Sequence, residues 1–370
     1  MRKVTLFLLL LIYSTIYSQN LRTLDKDIVD ENNNEIILRS AGLGGWMLQE
    51  PYMFNYSSGA NTQHEFKEKL NNLVGSENTE LFFESWLDNF VTQQDVDSIA
   101  SWGFNSIRLP MHYDLFTLSI QEEPVEGENT WLDRGFEIVD QLLDWCEQNE
   151  LYLILDLHAA PGGQGYDAAI SDYNSEFPSL WESVENQNKT IALWEQLAIR
   201  YKDEPWIGGY DLLNETNWDL ANFELRSFYV QVTNAIREHD SNHIIFIEGN
   251  WFANDFTGLI PPWDDNMAYS FHKYWSYNDT ESIQWVLDIR NQYNTPLWMG
   301  ESGENSNLWF TDAIRLFEDY EIGWAWWPWK KTESINSTLS ISSNSNFQSI
   351  INYFADGQNQ PSIETVSYTH

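Results

Sequence analysis

The segment Tyr210-Asp-Leu-Leu-Asn-Glu215 is an apolar, strand-like run that ends in an asparagine and a glutamate. A second run of the same kind, Pro296-Leu-Trp-Met-Gly-Glu301, lies further along the chain and also ends in a glutamate. In a parallel barrel, functional side chains stand at the carboxyl ends of the strands, where the loops that follow them form a site. The two segments therefore predict a barrel with a pair of carboxylates at one rim.

Apolar, strand-like segments alternate with segments of helical period through most of the chain, which is typical of a parallel sheet built from βα units. Eight strands are predicted, at 36–42, 105–109, 152–158, 209–215, 243–249, 267–272, 297–301 and 323–327. Helices are expected at 93–100 with Thr92 as its cap, at 135–147, at 190–201 and at 224–237. Because eight strands with intervening helices close naturally, the sequence predicts an α/β fold, a single (β/α)8 TIM barrel.

The two ends of the chain differ in composition from the middle. Arg2 and Lys3 precede an apolar stretch that is too short to span a bilayer, a pattern typical of an export signal. We expect the protein to be exported to the periplasm, the cell surface or the extracellular space. The expected organisation is a signal peptide at 1–18, one catalytic domain at 19–360 and a flexible tail at 361–370.

Charge excludes several classes of partner. The chain carries 56 Asp and Glu residues against 19 Lys and Arg, a formal net charge of −37. Nucleic acid and anionic membrane surfaces need the opposite sign, so neither is expected to bind, and no membrane insertion is predicted. A neutral substrate is compatible with this charge, and we expect a monomer. The 19 Trp residues exceed the needs of a core and suit the C–H faces of sugar rings.

Two polar connections, 55–80 and 159–188, are expected to be long loops, the second on the rim that carries the site. Asp167, Asp172 and Glu176 in the second connection lack the spacing of a calcium loop, so a solvated acidic loop is the preferred interpretation. No metal site and no cofactor are predicted. The single cysteine, Cys146, is interpreted as a small buried apolar group without a disulfide partner.

Two carboxylates that face one another across a sugar are the minimum needed to cleave a glycosidic bond. In the retaining mechanism one carboxylic acid protonates the leaving oxygen and later deprotonates water, while the other attacks the anomeric carbon, roughly 5–5.5 Å away. A lone strand-end glutamate is more often a cap or a salt bridge, but a pair with polar neighbours favours a site. Glu215 and Glu301 are therefore the catalytic candidates.

Other polar side chains are expected near the same rim. Arg108 is too costly to bury unpaired, so it should meet a carboxylate; pairing with Glu301 would keep that group ionised, and a structural bridge to another acid is the alternative. His158, His272 and Tyr274 stand at strand ends and favour a set of groups that bind sugar hydroxyls.

Asn214 and Trp327 complete the set of substrate-binding candidates. Asn214 directly precedes Glu215, where its amide suits the 2-hydroxyl of the sugar, whose hydrogen bonds strengthen in the transition state. Trp327 ends the eighth predicted strand, and a tryptophan there is expected to form the floor of the reacting subsite.

This set of residues resembles glycoside hydrolase family 5, the cellulase-like clan of retaining (β/α)8 enzymes. The resemblance covers about residues 30 to 335, and the positions that carry it are Arg108, His158, Asn214, Glu215, His272, Tyr274, Glu301 and Trp327. It implies that Glu215 is the acid/base and Glu301 the nucleophile. The chain departs from the family pattern at Thr216, where proline is usual, a position that shapes the loop without taking part in bond cleavage.

Within that family, the exo-β-1,3-glucanase branch is similar to this chain in three segments. They are Ala41-Gly-Leu-Gly-Gly-Trp-Met-Leu-Gln-Glu-Pro51, Asp156-Leu-His-Ala-Ala-Pro-Gly-Gly163 and Trp327-Pro-Trp-Lys330. In that branch the glutamate matching Glu50 binds hydroxyls of the non-reducing end and blocks one end of the cleft, so Glu50 is expected to bind substrate. Met111-His-Tyr113 and the connection at 159–188 depart from the branch.

The resemblance implies a secreted retaining β-glycosidase that hydrolyses a β-linked oligo- or polysaccharide, with exo action on β-1,3 or related glucan linkages. The alternatives within enzymes are an endo-β-1,4-glucanase, a β-mannanase or a glycosidase of glucosylated lipids. Transglycosylation, in which a sugar captures the glycosyl intermediate, is a further possibility. A non-catalytic carbohydrate-binding barrel is the alternative from another class, and it would keep the tryptophans but lose the carboxylates.

Overall fold

The computed structural model describes residues 20–221 and 223–362, and its largest feature is a closed barrel of eight parallel strands. In chain order the strands are β1 (Arg22–Leu24), β2 (Asp27–Val29), β3 (Arg39–Gly42), β4 (Ser106–His112), β5 (Tyr152–Ala159), β6 (Ile207–Asp211), β7 (Ile244–Glu248), β8 (Met267–Lys273), β9 (Leu297–Gly303), β10 (Gly323–Trp327), β11 (Lys330–Thr332) and β12 (Leu339–Ile341). Strands β3 to β10 follow one another around the barrel, and β10 closes it by pairing with β3. The predicted (β/α)8 barrel is confirmed. The predicted signal peptide at 1–18 and residues 363–370 of the predicted tail at 361–370 lie outside the described residues.

Helices surround the barrel. They are α1 (Gln63–Val74), α2 (Ser76–Asn89), α3 (Gln93–Ser101), α4 (Asp133–Gln148), α5 (Ala168–Ser171), α6 (Val184–Tyr201), α7 (Glu224–Arg237), α8 (Thr280–Tyr293), α9 (Asn307–Asp319) and α10 (Ser345–Asp356). The predicted start of α3 is confirmed, since Thr92 and Asp95 form a reciprocal capping box. Cys146 lies on the buried face of α4, as expected. Nowhere in these described segments is a helix both long and apolar enough to cross a membrane.

The expected loop at 55–80 is wrong, because α1 and the start of α2 occupy much of it. Thr62 caps α1 by accepting a hydrogen bond from the backbone N–H of Glu65 at 3.1 Å. Phe66, Leu70 and Val74 then recur every four residues and are buried, which gives the helix an apolar stripe. Polar residues on the remaining faces hide this period in the sequence.

The interior of the barrel changes from apolar to charged along the strands. Phe246 and Trp298 are fully buried, and their ring centroids lie 4.7 Å apart. Glu248 lies two residues beyond Phe246 on β7, on the same face of the strand, and is also fully buried. Below this level, at the amino end, Thr23 of the β1–β2 hairpin binds the loop before β8. The charged residues of the interior therefore lie towards the carboxyl end of the barrel. We call them the charged layer: Arg108, Asp156, Asp211, Glu248 and Glu301.

A buried ion cluster holds the connection between β5 and α6. Asp172 lies 3.0 Å from Nε2 of His112 and 3.0 Å from Nδ1 of His64. Burial lowers the pKa of His112, but Asp114 and Asp172 outweigh it and the pKa rises to about 9. Burial opposes ionisation of Asp172, yet the two histidines lower its pKa to about 2. The interpretation of a solvated acidic loop is therefore wrong for Asp172.

Candidate active site

Glu215 and Glu301 meet at the carboxyl end of the barrel. A carboxylate oxygen of each, together with a ring nitrogen of His272, lie within 4.8 Å of one another. Both glutamates line a cavity of about 640 Å³ and keep only 8% and 6% of their surface exposed. This separation is compatible with the roughly 5–5.5 Å between the two carboxyl groups of a retaining glycosidase.

Most of the residues predicted for the site line this cavity. They are Glu50, His158, Glu215, His272, Tyr274 and Glu301. Arg108 and Asn214 are fully buried and lie behind the cavity wall, where the guanidinium binds the amide oxygen at 2.9 Å. Trp327 is also buried beside the cavity, so a role for its ring as the floor of a sugar subsite stays a prediction.

Arg108 lies at the centre of the charged layer. Its Nη1 donates to Oε2 of Glu301 at 2.9 Å, so the predicted pair with that residue is present. Three more acids surround the same guanidinium: Asp156 at 3.2 Å, Asp211 at 3.1 Å and Glu248 at 3.0 Å. Arg108 therefore pairs with Glu301 and also forms a structural bridge to other acids, the two interactions that were expected as alternatives. Four ionised carboxylates would exceed the charge of one guanidinium. Burial and the charge of Glu248 raise the pKa of Asp211 well above its usual range, which reduces the excess, and further cations lie nearby.

His272 supplies one of these cations. Its Nδ1 lies 2.6 Å from Oε1 of Glu215, and its Nε2 lies 3.1 Å from Oε1 of Glu248. Burial lowers the pKa of His272, but the charges of Glu248 and Glu301 outweigh it and hold the pKa well above its usual range. The ring is therefore protonated at neutral pH and donates from both nitrogens.

Glu301 receives a second donor on its other oxygen. The hydroxyl of Tyr274 donates to Oε1 of Glu301 at 2.5 Å. Burial, followed by the charge of Glu301, raises the pKa of Tyr274 well above its usual range, so the hydroxyl keeps its proton. With Arg108 on Oε2, both oxygens of Glu301 accept hydrogen bonds from buried donors.

His158 is held between Asp156, Glu50 and the ring of Trp327. Its Nδ1 lies 2.8 Å from Asp156, its Nε2 lies 3.5 Å from Glu50, and its ring stacks on Trp327 with centroids 5.3 Å apart. Burial lowers the pKa of His158, but Asp156 and Glu50 raise it to about 10. Gly44 permits this arrangement, because a Cβ there would lie 2.3 Å from the Trp327 ring.

Glu50 combines near-complete burial with a place in the cavity wall. Burial raises the pKa of Glu50 from 4.5 to about 7, although the hydrogen bond and charge of His158 oppose the change. A raised pKa in the folded state means that Glu50 destabilises the fold once it ionises. The protonated carboxyl of Glu50 contributes to the free energy of unfolding below pH 4.5, and this contribution is lost as the pH rises through about 7.

Replacing Glu50 by glutamine is therefore expected to stabilise the protein increasingly with pH. The interval from 4.5 to about 7 corresponds to about 3 kcal/mol of unfolding free energy. Urea unfolding of both proteins at pH 4.5 and pH 7.5 measures the difference. E318Q is the control, because Arg39 lowers the pKa of the Glu318 carboxyl instead of raising it. The effect of pH should therefore have the opposite sign: E318Q should become less stable than the wild type as the pH rises. A constant difference between E50Q and wild type would contradict the expectation.

A strained turn forms part of the cavity wall after β7. The three residues Trp251–Ala253 have φ angles of 52°, 60° and 62°, in the left-handed region that side chains other than glycine avoid. The backbone N–H of Phe252 donates to the carbonyl of Thr216 at 3.2 Å, which ties the turn to the loop after β6. Phe252 and Trp275 line the cavity and are 37% and 70% exposed, so they present aromatic faces at its opening. Strain of this kind is concentrated at functional sites.

Sequence reasoning missed several residues of the site besides Phe252 and Trp275. Tyr52 lines the cavity, and its hydroxyl accepts a hydrogen bond from Nε1 of Trp327 at 3.1 Å. Asp156, Asp211 and Glu248 surround Arg108 below the cavity. Each of the three acids stands within or at the end of an apolar strand, and a carboxylate in such a run was the available signal that a buried cation lies nearby.

The family described as Cellulase (glycosyl hydrolase family 5) matches residues 60–333 of this chain. The matched segment includes both candidate glutamates and seven of the eight barrel strands, β4 to β10.

Similar proteins include enzymes named for different sugars and modes of action. A β-xylosidase of Phanerodontia chrysosporium is 39% identical over 249 residues, which cover 67% of this chain and 50% of the relative. Endoglucanase C of Acetivibrio thermocellus is 27% identical over 322 residues, covering 69% of this chain and 88% of the relative. A protein named "Probable glucan 1,3-beta-glucosidase A" of Aspergillus fumigatus is 24% identical over 276 residues, covering 73% and 63%. The chain thus spans half the length of the first of these relatives.

Among solved structures, that of AoRut has a TM-score of 0.65 to this chain at 17% sequence identity. The similarity covers 86% of this chain and 96% of AoRut. At this identity, the comparison shows a shared fold.

Proposed function

Because this chain belongs to glycosyl hydrolase family 5, whose members are retaining glycoside hydrolases, we propose that it is an exported, exo-acting β-glycosidase of β-glucans. The observation that carries the proposal is the meeting of Glu215 and Glu301 within 4.8 Å in one cavity, each with its own set of hydrogen-bond partners. Export rests on the signal-like segment at 1–18, and we propose that residues 19–360 form the catalytic domain.

The proposed reaction has two displacements at the anomeric carbon. Glu301 attacks this carbon from one side while Glu215 donates its proton to the leaving oxygen, which releases the aglycone and leaves a glycosyl ester on Glu301. Glu215 then takes a proton from water, the oxygen of that water attacks the anomeric carbon, and the ester bond breaks. Arg108 and Tyr274 support these roles because they donate to the two oxygens of Glu301 and stabilise its carboxylate before attack and after release.

Exo action is proposed from the wall formed by Glu50. This carboxyl group is 3% exposed, lies 3.5 Å from His158 and faces the same cavity as the two catalytic candidates. A buried carboxyl with an adjacent imidazolium suits hydroxyls of a terminal sugar, because each such hydroxyl can donate to one group and accept from the other. Phe252 and Trp275 offer aromatic faces to the leaving part of the substrate.

Product analysis tests the proposal. Incubation with laminarin is expected to release glucose from the first minutes, with no intermediate oligosaccharides, and the initial product should be the β-anomer by NMR because retention preserves configuration. The substrate panel should include mixed-linkage glucan, cellulose, pustulan, mannan and aryl β-glucosides. A ladder of oligosaccharides would contradict exo action, an initial α-anomer would contradict the mechanism, and activity on mannan alone would contradict the substrate class.

A second candidate is a β-xyloside as substrate, favoured by the 39% identity to a β-xylosidase. Xylose lacks the hydroxymethyl group of glucose, so the two sugars differ at one position of the ring. The ratio of kcat/KM for aryl β-xyloside and aryl β-glucoside decides between them: a ratio well above one favours the xyloside, and a ratio well below one favours the glucoside.

A further inference from the structure

Glu248 uses both of its carboxylate oxygens on groups that serve the two candidate catalytic residues. Oε1 accepts hydrogen bonds from Nε2 of His272 at 3.1 Å and from Nη2 of Arg108 at 3.0 Å. Oε2 accepts a hydrogen bond from the backbone N–H of Glu215 at 2.7 Å. The side chain is fully buried at the end of β7, so these contacts are not shared with bulk water.

Each of these contacts continues to a candidate catalytic carboxylate. His272 reaches Oε1 of Glu215 through its Nδ1 at 2.6 Å. Arg108 reaches Oε2 of Glu301 through its Nη1 at 2.9 Å. Glu248 is therefore one residue removed from both glutamates, and it also binds the backbone of one of them.

The backbone contact has a conformational reason. Glu215 has a φ of 39°, in the left-handed region that a glutamate rarely adopts. Such a conformation persists when the surrounding structure determines it, and the hydrogen bond to Glu248 is a short, charge-assisted one. The direction of the Glu215 side chain thus depends on a carboxylate from the neighbouring strand.

We propose that Glu248 is a positioning residue that sets the separation and orientation of Glu215 and Glu301. This inference rests on the proposed function, because it assigns to Glu248 a part in the reaction of those two groups. Balancing the charge of Arg108 does not by itself require Glu248, since Asp156 and Glu301 lie within 3.2 Å and 2.9 Å of the same guanidinium.

Glu248 also influences when His272 is protonated. The charged and titratable groups that face this imidazole are Glu215, Glu248, Glu301, Asp211 and Arg108. Among the groups that raise the pKa of His272, Glu248 contributes most. Without that charge the imidazolium should lose its proton at lower pH, and the hydrogen-bond environment of Glu215 would change with it.

The test is E248Q, assayed on the aryl β-glycoside that the wild type hydrolyses best. An amide has one acceptor oxygen, so it leaves either the Glu215 N–H or the two cations without a partner. We expect kcat to fall by about 100-fold with KM within about 3-fold, because misplaced catalytic groups slow the chemical step. The basic limb of the pH profile of kcat/KM should move down by about one unit.

D240N is the matched control. Asp240 is a buried carboxylate that binds His243 at 2.6 Å and accepts backbone N–H groups, but it lies before the amino end of β7. The same chemical change there should lower the unfolding temperature and leave kcat and the pH profile at wild-type values.

A kcat for E248Q within about 3-fold of wild type, with superimposable pH profiles, would overturn the role of Glu248. If E248Q is too unstable to assay, E248D decides, because it keeps the charge and shortens the arm. A fall in kcat of at least about 10-fold with the wild-type pH profile would support the proposal, and wild-type kcat would overturn it. An inactive wild type would overturn the proposed function as well, whereas an active wild type with unaffected variants would overturn this inference alone.

Discussion

Replacing Glu301 by glycine is expected to reduce hydrolysis of an aryl β-glucoside by about 10⁴-fold or more, because no covalent intermediate can form without the nucleophile. The substitution also opens space for a small anion next to the anomeric carbon. Added azide should then attack from the side that Glu301 occupied, while Glu215 still protonates the leaving oxygen. A single displacement inverts configuration, so NMR should identify an α-glycosyl azide.

The matched control is the same substitution at Glu215. An aryl glycoside with a good leaving group needs little acid assistance, so the first step should continue and the glycosyl ester on Glu301 should accumulate. Azide that attacks this ester inverts configuration a second time and should give the β-glycosyl azide. An α-product from E215G together with a β-product from E301G would reverse the two assignments, and wild-type hydrolysis by E301G would refute them.

Replacing Arg108 by methionine is expected to destabilise the fold by at least about 3–5 kcal/mol, the range for breaking a buried ion pair. The guanidinium is fully buried among Asp156, Asp211, Glu248 and Glu301, and methionine fills a similar length without supplying charge. Because Arg108 lowers the pKa of Glu248 and opposes the rise in that of Asp211, both pKa values should be higher without it. Because a raised pKa costs stability as pH rises, the deficit of R108M should grow with pH.

Urea unfolding followed by tryptophan fluorescence measures this deficit at pH 5 and pH 8. R39M is the control, since Arg39 pairs with Glu318 at 2.7 Å near the surface, where both side chains are about one-third exposed. Loss of such a pair should cost no more than about 1 kcal/mol. Equal losses for R108M and R39M would contradict the view that the charged layer depends on its arginine.

The barrel could be predicted from the sequence because strands that are buried on both faces are continuous apolar runs. The predicted strand at 243–249 corresponds to β7 at Ile244–Glu248, and the one at 323–327 has the bounds of β10. The site residues at strand ends could also be predicted, since parallel strands bring their carboxyl ends to one rim. Glu215, His272 and Glu301 therefore meet in one cavity as expected.

The charged layer around Arg108 was harder to predict from the sequence, because it depends on which face of each strand points into the barrel. Asp211 and Glu248 lie within or at the end of apolar runs, and nothing in those runs indicates that both reach Arg108. The pairing of a loop residue was equally hard to predict for Asp172, because its partners His64 and His112 lie 108 and 60 positions away along the chain. Long-range pairing of this kind is a property of the closed barrel.

The ion cluster around Asp172 bears on how the cavity would receive the proposed sugar substrate. Since the pKa of Asp172 is about 2 and that of His112 about 9, their attraction persists across the whole neutral range. The segment that follows β5 carries Asp167 and Ile170 into the cavity wall, and this anchor fixes it before any ligand arrives. On this side the wall is held in place before binding, so we expect the proposed sugar to bind without the loss of conformational entropy that an induced closure would cost.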